Sequence, residues 1–509
     1  MSDWRLVVVG AVLLALAYPP FHLLVPSFLC LIPAVLLLVD GAADPRPARR
    51  HLAQGFWFGL AANGLVLYWM IVALWHFTPL SALGYLATIL VLALWTAALF
   101  ALTGWIHRMT KLPLWVVFPV GWTAVEWGIG HQGDIRFPWL GLGTSLTGFP
   151  VMVQIADVVG ARGVTLLLAA ANTALALAWL GRSNRRSAAR LVACVVAGVA
   201  LAAGYGVVRM RSLPLRQLGT VAAIQPAHDA EQRWNASQLD SIAADLIGLS
   251  QRALVETRPD LVVWPEAAVP HVLTWHPDWV AAIAEQARGH RTPIVVGAID
   301  VRSNPDRSYE YWNAAFVFDT AGRHDAQPVY HKNYLVPIVE RVPFVNPRWF
   351  ARLRWFGGKG RGERGPVYQA PMGRFGVLIC YESAFEDLSR RYRRLGAEFL
   401  VNITNDAWFG NTSAPYQHAA HLVMRAIETR SGIARAANTG ISELVDPLGR
   451  EHRRTRLGDR TLVAGDVLTA DVTTLYTRLG DWVGTLCLIG WLGLILTSLR
   501  LRARTLSPR

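Results

Sequence analysis

Cysteine is scarce in this chain, with four residues among 509. Three of them, Cys30, Cys194 and Cys487, lie inside long apolar stretches, where a cysteine packs as a small hydrophobic residue. So few cysteines in such positions exclude a disulfide-stapled framework. The fourth, Cys380, instead ends a short apolar run and is followed by a tyrosine and a glutamate.

Two other signatures are missing as well. No cluster of histidine and cysteine has the spacing of metal ligands, and no glycine-rich loop of the phosphate-binding type is present. There is also no internal repeat of the kind that builds solenoids. The sequence therefore predicts chemistry that needs neither a metal nor a nucleotide cofactor.

Charged residues are few, at 17% of the chain, while hydrophobic residues make up 53% and the mean hydropathy is +0.30. This composition is too apolar for an ordinary soluble enzyme of this length. The net charge of +14 is compatible with nucleic-acid binding, but many arginines stand in short loops beside apolar runs. Arginines in such loops orient membrane helices, so nucleic acid is not an expected partner.

The long apolar runs predict eight transmembrane helices. Residues 6–39 form one run, which is too long for a single span of a ~30 Å hydrocarbon core and is broken at Pro19-Pro20, so it predicts two spans. The other predicted spans are Leu52–Phe77, Leu83–Ile106, Leu114–Gly130, Val164–Leu180, Leu191–Val208 and Trp482–Leu499.

Basic residues follow every second predicted span, which places those loops and both termini in the cytoplasm. Seven spans then deliver the next part of the chain to the opposite, periplasmic face. We therefore expect three parts: a membrane domain with seven transmembrane helices over residues 1–208, a periplasmic catalytic domain over residues 209–480, and a C-terminal transmembrane helix with a basic cytoplasmic tail over residues 481–509.

The predicted periplasmic part has the composition of a globular domain. Short β-rich runs, such as TVAAIQPA, DLVVWPEAA, FGVLICYES and FLVNITND, alternate with longer mixed segments. Helical spacing of apolar residues covers Ser237–Thr257 and Pro415–Thr429. This alternation predicts an α/β layered domain in which helices pack on sheets.

Three residues of this domain carry the candidate chemistry: Glu266 in VVWPEA, Lys332 in VYHKNYLVP and Cys380 in FGVLICYES. Each ends or follows a short apolar run, where a sheet presents side chains at a cleft. Taken singly, they have ordinary explanations as a helix cap, a solvated lysine and a core cysteine. Together they predict a thiol nucleophile, a carboxylate base and an ammonium that stabilises an oxyanion.

Further candidates accompany these three residues. Glu340 is expected to orient Lys332 or to line the pocket, and Glu382 to do the same beside Cys380. The glycine-rich loop over residues 131–161 carries a Phe-Pro-Trp sequence that ends at Trp139. This loop is either an interfacial aromatic belt or a part of a lipid-facing pocket.

The motifs WPEA, YHKNYLVP and ICYE, in this order, resemble the Glu–Lys–Cys motifs of the nitrilase, or carbon–nitrogen hydrolase, superfamily. The stretches NDAWFG, RAIE and RAANTG support the resemblance. Apolar spans on both sides of the domain make the resemblance more specific. Over nearly its full length, the chain resembles the bacterial apolipoprotein N-acyltransferase family.

This resemblance implies a multi-span α-helical membrane domain joined to a nitrilase-like αββα sandwich in the bacterial inner membrane. It implies Cys380 as nucleophile, Glu266 as general base and Lys332 as the stabiliser of the transition state. Four more residues match positions that serve activity or substrate contact: Glu340, Tyr381, Glu382 and Trp234.

The implied reaction moves a fatty acyl chain from a phospholipid, phosphatidylethanolamine by resemblance, through a cysteine thioester to an apolipoprotein. The acceptor is the α-amino group of the N-terminal diacylglyceryl-cysteine, and the expected state is a monomer. Two alternatives stay open from the sequence. One is a membrane-tethered amidase or nitrilase that hydrolyses a small C–N substrate, and the other is a transporter or sensor whose outer domain binds a ligand.

Overall fold

The computed structural model describes residues 3–75, 81–229, 235–303, 309–337, 339–344, 359–363 and 365–506. The chain divides into two compact units. The first unit contains Met1–Ser212 and Leu479–Arg509, and the second contains Leu213–Arg478.

The first unit is helical. Its helices before residue 213 are α1 Asp3–Ala17, α2 Leu24–Leu29, α3 Ile32–Gly41, α4 Pro47–Val66, α5 Trp69–Trp75, α6 Ser81–Thr110, α7 Leu114–His131, α8 Pro150–Val153, α9 Ala156–Leu180 and α10 Arg185–Ser212. The last helix of the chain, Trp482–Leu506, belongs to the same unit.

Five stretches among the described residues are long and apolar enough to cross a membrane: Leu24–Gly41, Ala82–Thr110, Ala156–Leu180, Arg185–Ser212 and Trp482–Thr505. The other predicted spans fall on α1, on α4 and α5, and on α7. The predicted span over residues 52–77 is interrupted between α4 and α5, and its last two residues lie outside the described part.

Small residues let the helices of this unit approach closely. Gly55 and Gly59 of α4 face α6, and a Cβ atom at either position would come within 2.7 Å of an atom of Thr96. Close backbone approach through small residues is the usual means of packing helices in membranes. Glu126 of α7 is buried and accepts hydrogen bonds from the Leu142 N–H and the Thr165 hydroxyl, both at 2.9 Å.

The second unit contains twelve strands and five helices in its described residues. The strands are β1 Arg216–Gln225, β2 Leu261–Val263, β3 Ile294–Ser303, β4 Tyr309–Phe318, β5 Tyr330–His331, β6 Tyr368–Ala370, β7 Gly373–Ile379, β8 Phe399–Thr404, β9 Gly432–Ala437, β10 Glu443–Val445, β11 Glu451–His452 and β12 Thr461–Thr469. The helices are α11 Leu239–Glu256, α12 Pro277–His290, α13 Glu386–Arg394, α14 Ala414–Thr429 and α15 Leu475–Leu479.

The strands form two six-stranded sheets. The first has the order β12-β1-β2-β3-β4-β5, and the second has the order β11-β10-β9-β8-β7-β6. Strands β1, β2 and β3 are parallel to one another, as are β7, β8 and β9. The carboxyl ends of parallel strands meet at one edge of a sheet, which is where side chains of a site converge.

The two sheets face each other across a shared apolar core. Alternate residues of β7 and β8 point into it, in keeping with the period of two in a strand: Phe375, Val377, Ile379, Phe399, Val401 and Ile403. Residues from the first sheet, including Val221, Val263 and Val295, complete this core.

Helices cover the outer faces of both sheets. A second core cluster joins α11 and α12 to the first sheet. On the second sheet, Tyr392 of α13 lies over Gly376, and its hydroxyl donates to the Val377 carbonyl at 2.8 Å. The predicted fold class is confirmed: an α-helical part with several apolar helices accompanies an αββα sandwich.

Because Phe399 is fully buried between the sheets, we expect Phe399→Ala to lower the free energy of unfolding of the second unit by about 3–5 kcal/mol. Denaturant unfolding of the detergent-solubilised chain, followed by tryptophan fluorescence, measures the change. Val255→Ala, at an exposed position of α11, is the control and is expected to change stability little. Equal stability of the two variants would contradict the assignment of this core.

Candidate active site

Glu266 lies just beyond the end of β2, where the chain crosses β3 at very short range. A Cβ atom at Gly297 of β3 would lie 2.1 Å from the Pro265 carbonyl oxygen, so only glycine allows this crossing. The Ala268 N–H then donates to the Gly297 carbonyl at 2.8 Å. These contacts hold Glu266 at the carboxyl edge of the first sheet.

Cys380 follows β7 and begins a short 3-10 helix, Cys380–Ala384. Its φ angle is +52°, which is uncommon for a residue with a side chain and costs conformational energy. The sharp turn carries the chain abruptly out of the sheet. Cys380 is partly exposed, whereas Ile379 before it is fully buried.

Lys332 follows β5 and is almost completely buried, at 1% exposure. Its backbone N–H donates to the Asn313 carbonyl of β4 at 2.9 Å. Its ammonium lies between two carboxylates, with Nζ at 3.2 Å from Glu266 Oε1 and 2.9 Å from Glu340 Oε2. The structure therefore brings Lys332 into direct contact with two other predicted residues, Glu266 and Glu340.

Asn313 holds the two carboxylates together. Its side-chain amide donates to Glu266 Oε1 at 2.6 Å and to Glu340 Oε1 at 3.1 Å. The second oxygen of Glu266 accepts from the Asn405 backbone N–H at 2.9 Å. Lys359 adds a further cation, with Nζ at 3.4 Å from Glu340 Oε1.

Electrostatics fix the charge of this cluster. Burial alone opposes the charged form of Lys332, but the negative charges of Glu266 and Glu340 outweigh it and raise the pKa of this lysine well above its usual value. Burial likewise opposes the charged form of Glu340, yet Lys332 and Lys359 lower its pKa to about 2. Lys332 is therefore an ammonium and Glu340 a carboxylate at neutral pH.

Cys380 is electrostatically coupled to the same cluster. Burial of the sulfur and the negative charge of Glu266 raise the pKa of the thiol above its ordinary value, and the positive charge of Lys332 opposes them. The resting residue is therefore a thiol and not a thiolate. A base that removes the proton during attack is needed to make this sulfur a nucleophile.

Glu382 links the segment that carries Cys380 to the segment that carries Lys332. One of its oxygens accepts from the Ile379 N–H and the Tyr330 hydroxyl, both at 2.7 Å. The other accepts from the N–H groups of Asn333 at 2.6 Å and Tyr334 at 3.1 Å. Burial raises the pKa of Glu382 to about 7, against the effect of these donors.

The remaining predicted residues have different surroundings. Tyr381 is buried and packs edge-on against Phe385, with ring centroids 5.1 Å apart. Trp139 belongs to the first unit, where it is buried with its ring 5.3 Å from that of Trp69. Trp234 lies outside the described residues.

A buried polar cluster supports the loop beyond β8. Asp406 forms an ion pair with Arg435 at 2.8 Å and a hydrogen bond with His418 at 2.9 Å. Although burial opposes its charged form, these partners lower the pKa of Asp406 to about 2. Because Asn405 precedes this anchored residue, the cluster fixes the N–H that binds Glu266.

Sequence reasoning missed Asn313, Tyr330, Asn333 and Lys359. Tyr330 and Asn333 stand beside Lys332 in the YHKNYLVP motif, but nothing in that motif indicates that they serve Glu382. Asn313 and Lys359 belong to no such motif, although Asn313 interrupts the apolar part of β4, residues 312–318. In the described ranges, no group of three or more metal-ligating side chains comes together.

Comparisons with known proteins agree with this architecture. Residues 220–475 match the carbon-nitrogen hydrolase family, and residues 10–174 match the apolipoprotein N-acyltransferase N-terminal domain. An apolipoprotein N-acyltransferase of Geobacter metallireducens is 32% identical over 96% of this chain and 94% of its own length. An apolipoprotein N-acyltransferase of Brucella melitensis is 29% identical over 95% of this chain and 94% of its own length.

Among solved structures, an amidase of the nitrilase superfamily from Nesterenkonia AN1 is 18% identical, with a TM-score of 0.39. The alignment covers 52% of this chain and 95% of the amidase. The sequence matches and the two sheets with their outer helices define a carbon–nitrogen hydrolase domain.

The match of residues 10–174 to the apolipoprotein N-acyltransferase N-terminal domain distinguishes one family within this class. The chain belongs to the apolipoprotein N-acyltransferase family. Membership makes the protein an acyltransferase of lipoprotein biosynthesis, with lipid and lipoprotein substrates in a membrane.

We expect Glu382→Gln to lower the stability of the second unit by about 1–3 kcal/mol, because an amide NH₂ would face buried N–H donors that need an acceptor. Hydrogen exchange should accelerate at the N–H groups of Ile379, Asn333 and Tyr334. Glu256→Gln, at an exposed position of α11, is the control. Unchanged protection at these three amides would contradict the proposed link.

Proposed function

We propose that this protein transfers a fatty acyl chain from a phospholipid to an apolipoprotein through a thioester on Cys380. The acceptor is the α-amino group of the N-terminal diacylglyceryl-cysteine. The observation that carries the proposal is the buried Lys332 ammonium, which Glu266 and Glu340 hold and which interacts electrostatically with the Cys380 thiol. Membership of the acyltransferase family supports the identity of the substrates.

In the first step, the Cys380 sulfur attacks the carbonyl carbon of the sn-1 ester while Glu266 takes the thiol proton. The carbonyl oxygen becomes an oxyanion, which the Lys332 ammonium stabilises. The ester C–O bond then breaks, and the glycerol oxygen receives the proton from Glu266. A lysophospholipid leaves, and the acyl chain remains on the sulfur as a thioester.

The raised pKa of the thiol favours this sequence over a preformed thiolate. A neutral sulfur in a buried site reacts only when its proton moves to a base as the new bond forms. The contacts that hold the Glu266 oxygens, from Asn313, Lys332 and the Asn405 N–H, support this role. Glu340 stays ionised beside Lys332 and keeps the ammonium in place.

In the second step, the acceptor amine attacks the thioester carbonyl, and Glu266 takes a proton from the amine. Lys332 stabilises the second oxyanion as it stabilised the first. The C–S bond then breaks, an amide forms, and the proton on Glu266 returns to the Cys380 sulfur. Because an amide is more stable than a thioester, the step runs towards product, and the two steps together are ping-pong.

Other candidate residues receive supporting roles in this proposal. Glu382 positions the segments that carry Cys380 and Lys332. Tyr381, Trp139 and Trp234 are assigned substrate-binding or supporting roles from the family resemblance alone.

The proposed setting is the bacterial inner membrane. The catalytic domain over residues 209–480 faces the periplasm, seven helices over residues 1–208 and one over residues 481–509 span the bilayer, and both termini are cytoplasmic. The basic loops after every second predicted span support this orientation. We propose phosphatidylethanolamine as the donor and a monomer as the active state.

This arrangement has a kinetic advantage. Both substrates are anchored in lipid, so a site at the membrane surface meets them at a high effective concentration.

Incubation of the purified chain with phospholipid should add one fatty acyl mass to the peptide that contains Cys380. Intact-mass measurement followed by peptide mapping detects the adduct, and mild hydroxylamine should release it as expected for a thioester. Cys380→Ala should form no adduct, while Cys487→Ala, which removes a buried cysteine of the last helix, should form it normally. Acylation of the Cys380→Ala protein at the wild-type level would contradict the proposal.

A further inference from the structure

A polar cleft of about 470 Å³ lies beside the proposed catalytic residues in the second unit. Its walls are the segment after β5, the segment over residues 359–363 and the first two turns of α13. The residues that matter are Asn333, Tyr334, Arg361, Glu363, Asp387 and Arg391. This volume is within the range of small-molecule binding sites, roughly 300–1,000 Å³.

Two guanidinium groups line the cleft. Arg361 is oriented by its Nε–H, which donates to the Asn333 carbonyl at 3.0 Å and leaves the two terminal nitrogens available. Arg391 of α13 also lines the cleft. Within the described ranges, neither arginine lies at ion-pair distance from a carboxylate, although Asp387 and Glu363 line the same cleft. The Asp387 carboxylate instead accepts from the Tyr334 hydroxyl.

The cleft is connected to the nucleophile by short contacts. The N–H groups of Asn333 and Tyr334 share the Glu382 carboxylate with the N–H of Ile379, the residue before Cys380. The Tyr334 ring also stacks on Phe385, with centroids 4.1 Å apart. Tyr381, the residue after Cys380, packs on the same phenylalanine. The segment that carries the reactive sulfur is therefore packed against residues that line the cleft.

The lining has both signs of charge, which suits a ligand that itself carries both. Arginine is the side chain best matched to phosphate oxygens, because its planar fork donates two parallel hydrogen bonds. Two arginines without carboxylate partners can together bind one phosphodiester group. The adjacent carboxylates of Asp387 and Glu363 then suit an ammonium a few ångströms away.

We propose that this cleft binds the headgroup of the acyl donor, with the phosphodiester on Arg361 and Arg391 and an ammonium beside Asp387 and Glu363. The inference rests on the proposed function, since it assigns the donor's headgroup to a site next to the proposed nucleophile. A donor with a zwitterionic phosphoethanolamine-type headgroup satisfies both charges, and a neutral diacylglycerol satisfies neither.

The test measures binding without chemistry. A phospholipid whose two ester bonds are replaced by ethers keeps its phosphoethanolamine headgroup but donates no acyl chain. Its dissociation constant is measured for the full chain in nonionic-detergent micelles, with a fluorescent label at the end of one alkyl chain. We expect Arg361→Gln and Arg391→Gln each to weaken binding by about tenfold, because each removes a charge-assisted hydrogen bond.

The controls separate a headgroup site from general damage. Arg394→Gln, at an exposed position of the same helix, should bind the ether lipid as the wild type does. A dialkylglycerol without phosphate should bind all four proteins equally. Asp387→Asn should reduce the preference for the phosphoethanolamine lipid over the corresponding dialkylglycerophosphate, which has no ammonium.

Three results would overturn the inference. These are unchanged ether-lipid affinity in both arginine variants, an equal loss of affinity for the uncharged dialkylglycerol, and displacement of the lipid by inorganic phosphate at micromolar concentration, which indicates a free-anion site. Because the ether lipid does not react, a failure to form the acyl-enzyme on Cys380 counts against the proposed function and leaves this binding result standing.

Discussion

The buried ammonium of Lys332 is the interaction on which the site depends. A lysine taken out of water is costly unless paired, and here two carboxylates at 3.2 Å and 2.9 Å compensate its charge. Those carboxylates in turn need donors, which Asn313, Lys359 and the Asn405 N–H supply. Removing one charge of such a cluster leaves the others uncompensated and is expected to be strongly destabilising.

This requirement ties the two sheets of the α/β unit together. Glu266 leaves the end of β2 in the first sheet and accepts from the N–H of Asn405, which follows β8 in the second sheet. Glu382 connects the sheets in the opposite direction, since it follows β7 of the second sheet and accepts from Tyr330 of β5 and from Asn333 just after that strand. The apolar core fixes the distance between the sheets, and the two glutamates fix how their ends meet.

Much of the fold was predictable because the central strands are continuous apolar runs. Strands β2 and β8, residues 294–299 of β3 and residues 375–379 of β7 are buried on both faces, and such runs are recognisable in a sequence. Strands β5 and β11 have only two residues each, and no pattern of that length separates a strand from a loop. Strand β12 mixes exposed and buried positions at the edge of its sheet, so its sequence is equally uninformative.

The reactive groups of the candidate site were predictable from the sequence, but the residues that position them were not. Glutamate, lysine and cysteine at the ends of apolar runs are unusual enough to be noticed, and together they matched known motifs. The role of Asn313 depends on two carboxylates from distant segments, so the residues next to it in the sequence do not indicate that role. The positive φ of Cys380 is likewise imposed by the surrounding fold rather than by a glycine or asparagine at that position.

The central claim is that this paired, buried cation makes ester attack by Cys380 possible. The most direct measurement is the single-turnover rate of acyl-enzyme formation in Lys332→Met, at saturating phospholipid and with the folded state checked by thermal unfolding. The account predicts a rate about 10²–10³-fold below that of the wild type, the loss typical of one removed oxyanion donor. A folded Lys332→Met protein that acylates within a few-fold of the wild-type rate would contradict it.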